Sequence, residues 1–247
     1  MGDDRLSELI EGRNAVLEAL RSGVRLERVM LAEGAKPNPA TNEIVSLSDS
    51  AGVPVERVAR ATLDARSARG AHQGVMAMAA PFRYAELEEV IRAVEGLPRA
   101  LIVVLDHVTD PGNLGAIIRS VEVAGGSAVI IPRERSAGVG PIVHKAAAGA
   151  TAHLPVVRVV NIGQAISALV DAEMWVCGAD ERADADLWHA PLEGRLALVM
   201  GAEGSGLSRL VRERCDFLVS IPVAGRVSSL NVAQATSVLA FEWVRRG

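Results

Sequence analysis

From Arg99 onward the chain alternates between short aliphatic runs and longer segments with helical apolar spacing, and this alternation restricts the fold more than any other feature. LIVVLDHV, SAVIIP, HLPVVRVV, MWVCGAD, RLALVMG and FLVSIPV read as strands. LGAIIRSVEVAG, PIVHKAAAGAT, GQAISALVDA, LSRLVRERC and SSLNVAQATSVLAFEWVRR read as helices between or after them. Aliphatic runs of this kind are buried on both faces, and strands joined through helices run parallel. The expected fold is α/β, a parallel sheet covered on both sides, with ligands at the carboxyl ends of the strands. The composition agrees: 49% of residues are apolar but only 3% aromatic, which suits short aliphatic strands under Ala-rich helices.

The first 80 residues read as a smaller α/β unit. EGRNAVLEALRSG carries a helical apolar pattern through Ala15, Val16, Ala19 and Leu20, with Gly23 as its C-cap. LERVMLAEG and VPVERVA read as strands around a helix at TNEIVSLSDSAG, followed by the basic ATLDARSARG and a strand at GVMAMAAP. PFRYAELEEVIRAVEGLPR reads as a linker with an exposed helix. The expected division is a small unit over 1–80, a linker over 81–98 and a larger domain over 99–247.

The polar start, MGDDRLSELIEGRNAVLEAL, lacks the apolar core of a signal peptide, and no stretch approaches the roughly 20 apolar residues of a membrane span. Cys177 and Cys215 form no CxxC and read as core thiols, so a reducing cytoplasm is the simplest compartment. The five histidines do not cluster with cysteines or carboxylates along the chain, so no metal site is expected. A net charge of −4 argues mildly against a nucleic-acid partner, but binding phosphates requires only a local basic surface.

Three segments carry the chemistry. In VLDHVTDPGNLGAIIRS a strand enters a turn and a helix starts near Asn113, which is a candidate cap, with Arg119 within its first two turns. In LALVMGAEGSGLS a buried strand empties into a loop with Gly201, Gly204 and Gly206, whose backbone can approach a ligand closely. That loop has neither GK[ST] nor GxGxxG, and Glu203 would repel a pyrophosphate, so a cationic or hydroxyl-bearing ligand suits it better. In SIPVAGRVSSLNVAQATSVLAFEW a strand ends at Ile221 and Pro222, and a flexible loop leads to a helix that Ser228 or Ser229 can cap, with Asn231 in its first turn. Read singly, each segment is also an ordinary strand–turn–helix junction.

Together, in order and spacing, the three resemble the motifs of the SpoU, or TrmH-like, branch of the SPOUT RNA methyltransferases, over about 140 residues from Val104 to Trp243. NLGAIIR resembles the first motif, LVMGAEGSGLS the second and IPVAGRVSSLNVAQA the third. EGRNAVLEAL and AHQGVMA resemble the small substrate-binding domain of the RlmB type, the 23S rRNA (guanosine-2′-O-)-methyltransferases. The resemblance implies a parallel α/β domain with a deep trefoil knot, preceded by a small N-terminal α/β domain, and a homodimer with its site near the two-fold axis. It implies S-adenosyl-L-methionine as cofactor, held by Met200, Gly201, Ala202, Glu203, Ile221, Pro222, Ser229 and Leu230. It also implies catalytic positions at Asn113, Arg119, Glu203, Ser229 and Asn231, acting on a ribose 2′-hydroxyl of RNA, with 23S rRNA the first candidate and tRNA or another rRNA site the alternative. A non-catalytic RNA-binding or assembly factor with the same fold is the competing class.

A guanidinium is a poor base, so Arg119 is expected to bind a substrate phosphate and stabilise the developing alkoxide. Asn113 is expected to orient Arg119 or the ribose. Two basic strips are candidate RNA contacts: Arg57, Arg60, Arg66, Arg69 and His72 in the small unit, and Arg133, Arg135, His144 and Lys145 in the large one.

Overall fold

The computed structural model describes residues 8–34, 38–67, 70–227 and 229–247. The chain divides into two compact units, Met1–Arg83 and Tyr84–Gly247.

The first unit is a mixed four-stranded sheet with helices. Its elements are β1 (Glu8–Glu11), α1 (Arg13–Arg21), β2 (Leu26–Ala32), α2 (Pro39–Ser50), β3 (Val55–Val58), α3 (Arg60–Arg66) and β4 (Val75–Ala79), with strand order β1-β4-β2-β3. β4 pairs antiparallel with both β1 and β2, whereas β2 and β3 are parallel. The sequence reading contained no strand at β1: four residues with only two apolar ones carry too little pattern, and pairing with β4 supplies the rest. α1 stops at Ser22, and Gly23 follows with φ +74°, the left-handed conformation that a side chain resists.

The second unit begins with α4 (Leu87–Val94), inside the stretch read as a linker. Its helix is not simply exposed: Val90 and Val94 are buried in the core of the second unit, with Leu87 and Ile91 packed against it. Apolar residues at 87, 90, 91 and 94 form one helical stripe, and that stripe is the face covered. Then follow β5 (Ala100–Asp106), α5 (Pro111–Val123), β6 (Ala128–Pro132), α6 (Pro141–Ala147), β7 (Val156–Val159), α7 (Ile162–Asp171) and β8 (Trp175–Ala179). β9 (Arg195–Gly201), α8 (Arg209–Arg212), β10 (Phe217–Val219) and α9 (Val232–Arg246) complete the unit. Its six strands are all parallel, in the order β10-β8-β9-β5-β6-β7.

The aliphatic runs occupy the middle of the sheet: every residue of β5 and β6 is buried. β5 and β9 pair along their whole length, so Asp106 lies beside Gly201 at their carboxyl ends. From β5 the chain leaves toward β6, and from β9 it leaves through α8 toward β10 at the opposite edge. Connections that part in opposite directions open a crevice at the strand ends, the usual ligand position in an open parallel sheet.

Candidate functional site

The three segments singled out in the sequence meet at this crevice. β5 runs into a short loop, and Asp110 caps α5, its carboxylate accepting the Asn113 N–H at 2.7 Å. The helix thus starts at Pro111, before the expected start near Asn113, because Asp is a strong cap and Pro suits the first helical position. Asn113 is not the cap, and its amide is free for longer contacts.

β9 ends at Gly201, and the chain folds back on itself: Ala202 N–H donates to the Gly206 carbonyl at 3.1 Å and Gly206 N–H to the Ala202 carbonyl at 2.9 Å. A Cβ on Gly201 would stand 2.2 Å from the Gly206 carbonyl carbon, so no side chain fits there. The tight hairpin lifts Glu203 to its exposed tip.

α9 is capped by Asn231, whose carbonyl oxygen accepts from Ala233 N–H at 2.9 Å. The expected serine cap is displaced: Ser229 is exposed and makes no hydrogen bond to a described residue, and Ser228 lies outside the described residues.

These placements build one hydrogen-bonded cluster. The Asn231 amide donates to Glu203 Oε1 at 2.7 Å and to Asn113 Oδ1 at 3.0 Å, and the Asn113 amide donates to the same Glu203 oxygen at 2.8 Å. A carboxylate oxygen taking two amide donors fixes both asparagines, and charged acceptors make the stronger bonds. Residues 113, 203 and 231, far apart in sequence, form one polar floor.

Arg119 is not part of it. Its side chain is exposed and, among the described residues, has no hydrogen bond or ion pair. Asn113 therefore holds Glu203 rather than Arg119, since six residues along a helix place the two about 120° apart around the axis.

The positions expected to hold cofactor surround the same crevice. Met200 is buried under the strand end, Gly201 and Ala202 are half-buried, and Ile221 lies at the rim with Pro222 exposed beside it. Beyond it Val223, Val227 and Leu230 are exposed to 47%, 74% and 43%, an uncovered apolar surface. Among the described residues, no backbone N–H of 223–227 donates a hydrogen bond. Apolar side chains beside free backbone donors suit a flat heteroaromatic ring with ring-nitrogen acceptors, such as adenine. The residues present therefore fit S-adenosylmethionine.

The expected RNA contacts divide. Arg57, Arg60 and Arg66 are exposed, Arg66 reaching Met30 Sδ at 3.4 Å, while Arg69 lies outside the described residues. His72 does not belong to the strip. It is 3% exposed, its Nδ1 accepts Gly74 N–H at 3.1 Å, and its Nε2 donates to Asp64 at 2.8 Å. Two satisfied ring nitrogens in a buried setting make it a structural histidine. Arg133, Arg135 and Lys145 are exposed; His144 is half-buried against Thr151 at 2.9 Å, and burial lowers its pKa.

Histidines and carboxylates, separate in the sequence reading, do pair in the fold: Asp64 with His72, Asp106 with His107 at 2.6 Å and Asp186 with His189 at 2.7 Å. Among the described residues, none of these pairs grows into a group of three that could hold a metal. Asp106 went unremarked in the sequence, although a carboxylate closing an aliphatic strand was a visible signal. Cys177 is buried and Cys215 half-buried, and burial pushes both thiols up, Cys215 to about 12. Among the described residues no helix is long and apolar enough to cross a membrane.

Comparison with known proteins agrees with this architecture. Residues 100–241 match the SpoU rRNA Methylase family, and residues 9–85 match the domain described as RNA 2′-O ribose methyltransferase substrate binding. The chain is 40% identical over 242 residues to the Escherichia coli 23S rRNA (guanosine-2′-O-)-methyltransferase RlmB, covering 98% of this chain and 99% of that protein. Among solved structures, the SpoU methyltransferase AviRb of Streptomyces viridochromogenes in complex with AdoMet superposes with a TM-score of 0.72 at 25% identity, over 97% of this chain and 90% of that one. The AdoMet-bound rRNA methyltransferase of Sinorhizobium meliloti gives 0.65 at 26% identity, over 97% and 87%. The chain belongs to the SpoU rRNA methylase family and is an RNA 2′-O-ribose methyltransferase that uses S-adenosylmethionine.

Proposed function

We propose that this chain methylates the 2′-hydroxyl of a guanosine ribose in 23S rRNA. The Asn113–Glu203–Asn231 cluster, which joins all three motif segments beside an apolar rim, carries the siting of the reaction. Near full-length similarity to a 23S rRNA guanosine methyltransferase supports the substrate. When bound, S-adenosylmethionine supplies a methyl group already activated by its sulfonium charge.

The chain's own residues then have three tasks. Val223, Val227, Ile221 and Leu230 would shelter the adenine and the backbone N–H groups of the 223–227 loop would bond its edge, with Met200, Gly201 and Ala202 lining the strand end and Ser229 and Pro222 closing the rim. The Asn113–Glu203–Asn231 floor orients the ribose, since a group held in place before the reaction removes orientational entropy from the barrier. Arg119, which has no hydrogen bond or ion pair among the described residues, binds a substrate phosphate and stabilises the oxyanion as the 2′-hydroxyl gives up its proton to a phosphate oxygen or to water. Arg57, Arg60, Arg66, Arg133, Arg135 and Lys145 bind phosphates farther along the RNA.

We also infer a homodimer. Val123 stands one turn beyond Arg119 on α5 and is 62% exposed, and Val238 and Phe241 on the adjoining α9 are 36% and 47% exposed. Ser237 Oγ bonds Ser120 Oγ at 2.7 Å between the two helices. A second copy covering this face would bury the apolar side chains and seat Arg119 near the two-fold axis. The trefoil knot, a small domain over 1–80 and a methyltransferase domain over 99–247, joined by a segment 81–98 whose helix α4 packs on the larger one, and a cytoplasmic location belong to the same reading.

The test incubates the protein with labelled S-adenosylmethionine and unmodified 23S rRNA, 16S rRNA or tRNA and maps the methylated ribose. Label at one 23S rRNA guanosine is expected. Label only in tRNA or 16S rRNA would overturn the substrate assignment, and cofactor binding with no transfer to any RNA would favour a non-catalytic binding factor.

A further inference from the structure

Asp106 is 2% exposed, an ionisable side chain at the end of a strand otherwise made of Ala, Leu, Ile and Val. Burying a carboxylate is costly unless its oxygens find donors. Here each oxygen has one: Oδ2 accepts the Ser208 N–H at 2.7 Å, and Oδ1 lies 2.6 Å from His107 Nδ1. His107 itself is held at φ +65°, the left-handed region that a β-carbon disfavours, so the surroundings impose its conformation.

The placement of these contacts gives them meaning. Asp106 pairs in register with Gly201, the residue from which the Glu203 hairpin springs. Ser208, which it grips, is the residue two beyond the hairpin's closing Gly206. Both ends of the segment 201–208 are thereby tied to the end of β5: one by the parallel ladder, the other by the Asp106 carboxylate. One residue beyond Asp106, the chain enters the loop that delivers Asn113. A single buried carboxylate thus sets the position of the second motif relative to the first, and with it the Glu203–Asn113 bond.

We propose that Asp106 is a positioning residue of the methyl transfer, acting through Ser208 to hold the Glu203 hairpin and the adjoining cofactor backbone at their working position. Its consequence for transfer rests on the function proposed above; its consequence for the hairpin does not.

Three variants test it. Asp106→Asn keeps an oxygen able to accept the Ser208 N–H. Asp106→Ala removes it. Ser208→Pro deletes the donor instead, at a residue whose φ of −63° already suits proline. Amide hydrogen exchange over 201–208 in the cofactor-free protein reads the tether directly. S-adenosylmethionine Kd and single-turnover transfer read its effect, all on protein whose global unfolding has been checked by calorimetry.

In Asp106→Ala and Ser208→Pro, exchange over 201–208 should quicken by about tenfold or more. Transfer should fall on the order of 100-fold, as a misplaced active-site group costs. Asp106→Asn should restore exchange and Kd to within about threefold of the parent, and the Ala and Pro effects should not add when combined. Unchanged exchange in a folded Asp106→Ala would overturn the proposal, and so would an Asn variant as impaired as Ala. If Asp106→Ala does not fold, Ser208→Pro decides alone: normal exchange and normal Kd there refute the tether. Failure of the parent protein to transfer any methyl would count against the proposed function and leave the exchange result standing.

Discussion

Replacing Asn231 separates two roles that its side chain combines. Its carbonyl oxygen caps α9 through Ala233 N–H at 2.9 Å, and its amide donates to Glu203 at 2.7 Å and Asn113 at 3.0 Å. Asn231→Asp retains the capping oxygen and adds a negative charge at a helix N-terminus, which favours it. It removes both donors, however, and sets a second carboxylate against Glu203. A hydrogen bond to a charged group contributes about 1.5–3 kcal/mol and a neutral one about 0.5–1.5. Because the cluster is open to solvent, the lower ends apply, and their sum is about 2 kcal/mol. At about 1.4 kcal/mol per factor of ten, the assembled floor becomes roughly 30-fold less populated. Asn231→Ala loses the cap as well, worth about 1 kcal/mol, or roughly 2–4 °C in Tm for a chain of this size. Calorimetry and single-turnover methyl transfer on the two variants check this. The Asp variant should transfer at least about 30-fold more slowly, and the Ala variant, which also lacks the cap, should melt roughly 2–4 °C below the Asp variant. Transfer by the Asp variant at the parent's rate would show that the cluster does not set the rate.

Arg119→Ala should abolish transfer while leaving S-adenosylmethionine affinity within about twofold by titration calorimetry, because Arg119 makes no hydrogen bond or ion pair to a described cofactor-holding residue and is expected to act late, on the oxyanion. Gly115→Ala should lower Tm by roughly 2–8 °C, since the overpacking penalty exceeds the gain in helix propensity; the new Cβ would stand 2.5 Å from Ala146 Cβ and 2.6 Å from the Val143 carbonyl oxygen. Hydrogen bonds from Arg245, and then Arg246, hold the Glu242 carboxyl at about 2, below its ordinary 4.5. Its stabilisation is therefore present above pH 4.5 and lost as pH falls through about 2, so the Tm gap between parent and Glu242→Gln should be widest above pH 4.5 and close near pH 2. Neutralising Arg57 and Arg60 together should weaken RNA binding and reduce the salt slope of log K by about 0.7–0.9 for each phosphate that no longer meets a cation; an unchanged slope would remove both from the interface.

The parallel sheet was legible because its strands are buried on both faces, and such strands write themselves as unbroken aliphatic runs: Leu101 to Leu105 and Ala128 to Ile131 show this directly. β1 was not legible, because Leu9 and Ile10 alone set no period and their strand exists through pairing with β4. The α4 segment misled in another way. It read as an exposed helix within a linker, whereas the stripe through Val90 and Val94 decided its burial.

At the site, the residue types and spacings named Asn113, Glu203 and Asn231, but not their bonding. The caps were where the sequence was most ambiguous. Asp110, Asn113, Ser229 and Asn231 are all good cap residues, and only the fold selects Asp110 and Asn231 and so frees Asn113 for Glu203. His72 sits among arginines in sequence, yet its burial depends on Asp64 and Gly74 accepting and supplying its hydrogen bonds, which no local pattern announces. Asp106 is the same lesson reversed: its position was plain in sequence, and its partner, Ser208, lies 102 residues away.

The crevice at the carboxyl ends of β5 and β9 transfers a methyl group to a ribose 2′-hydroxyl, and a single missing oxygen tests this. Once the labelled nucleotide in 23S rRNA has been mapped, the same RNA fragment can be made with a 2′-deoxyguanosine at that single position and offered to the protein with labelled S-adenosylmethionine. The ribose-bearing fragment should take up one methyl group and the deoxy fragment none while still binding the protein. Label entering the deoxy fragment at that nucleotide would contradict it, because the methyl group would then be going to the base.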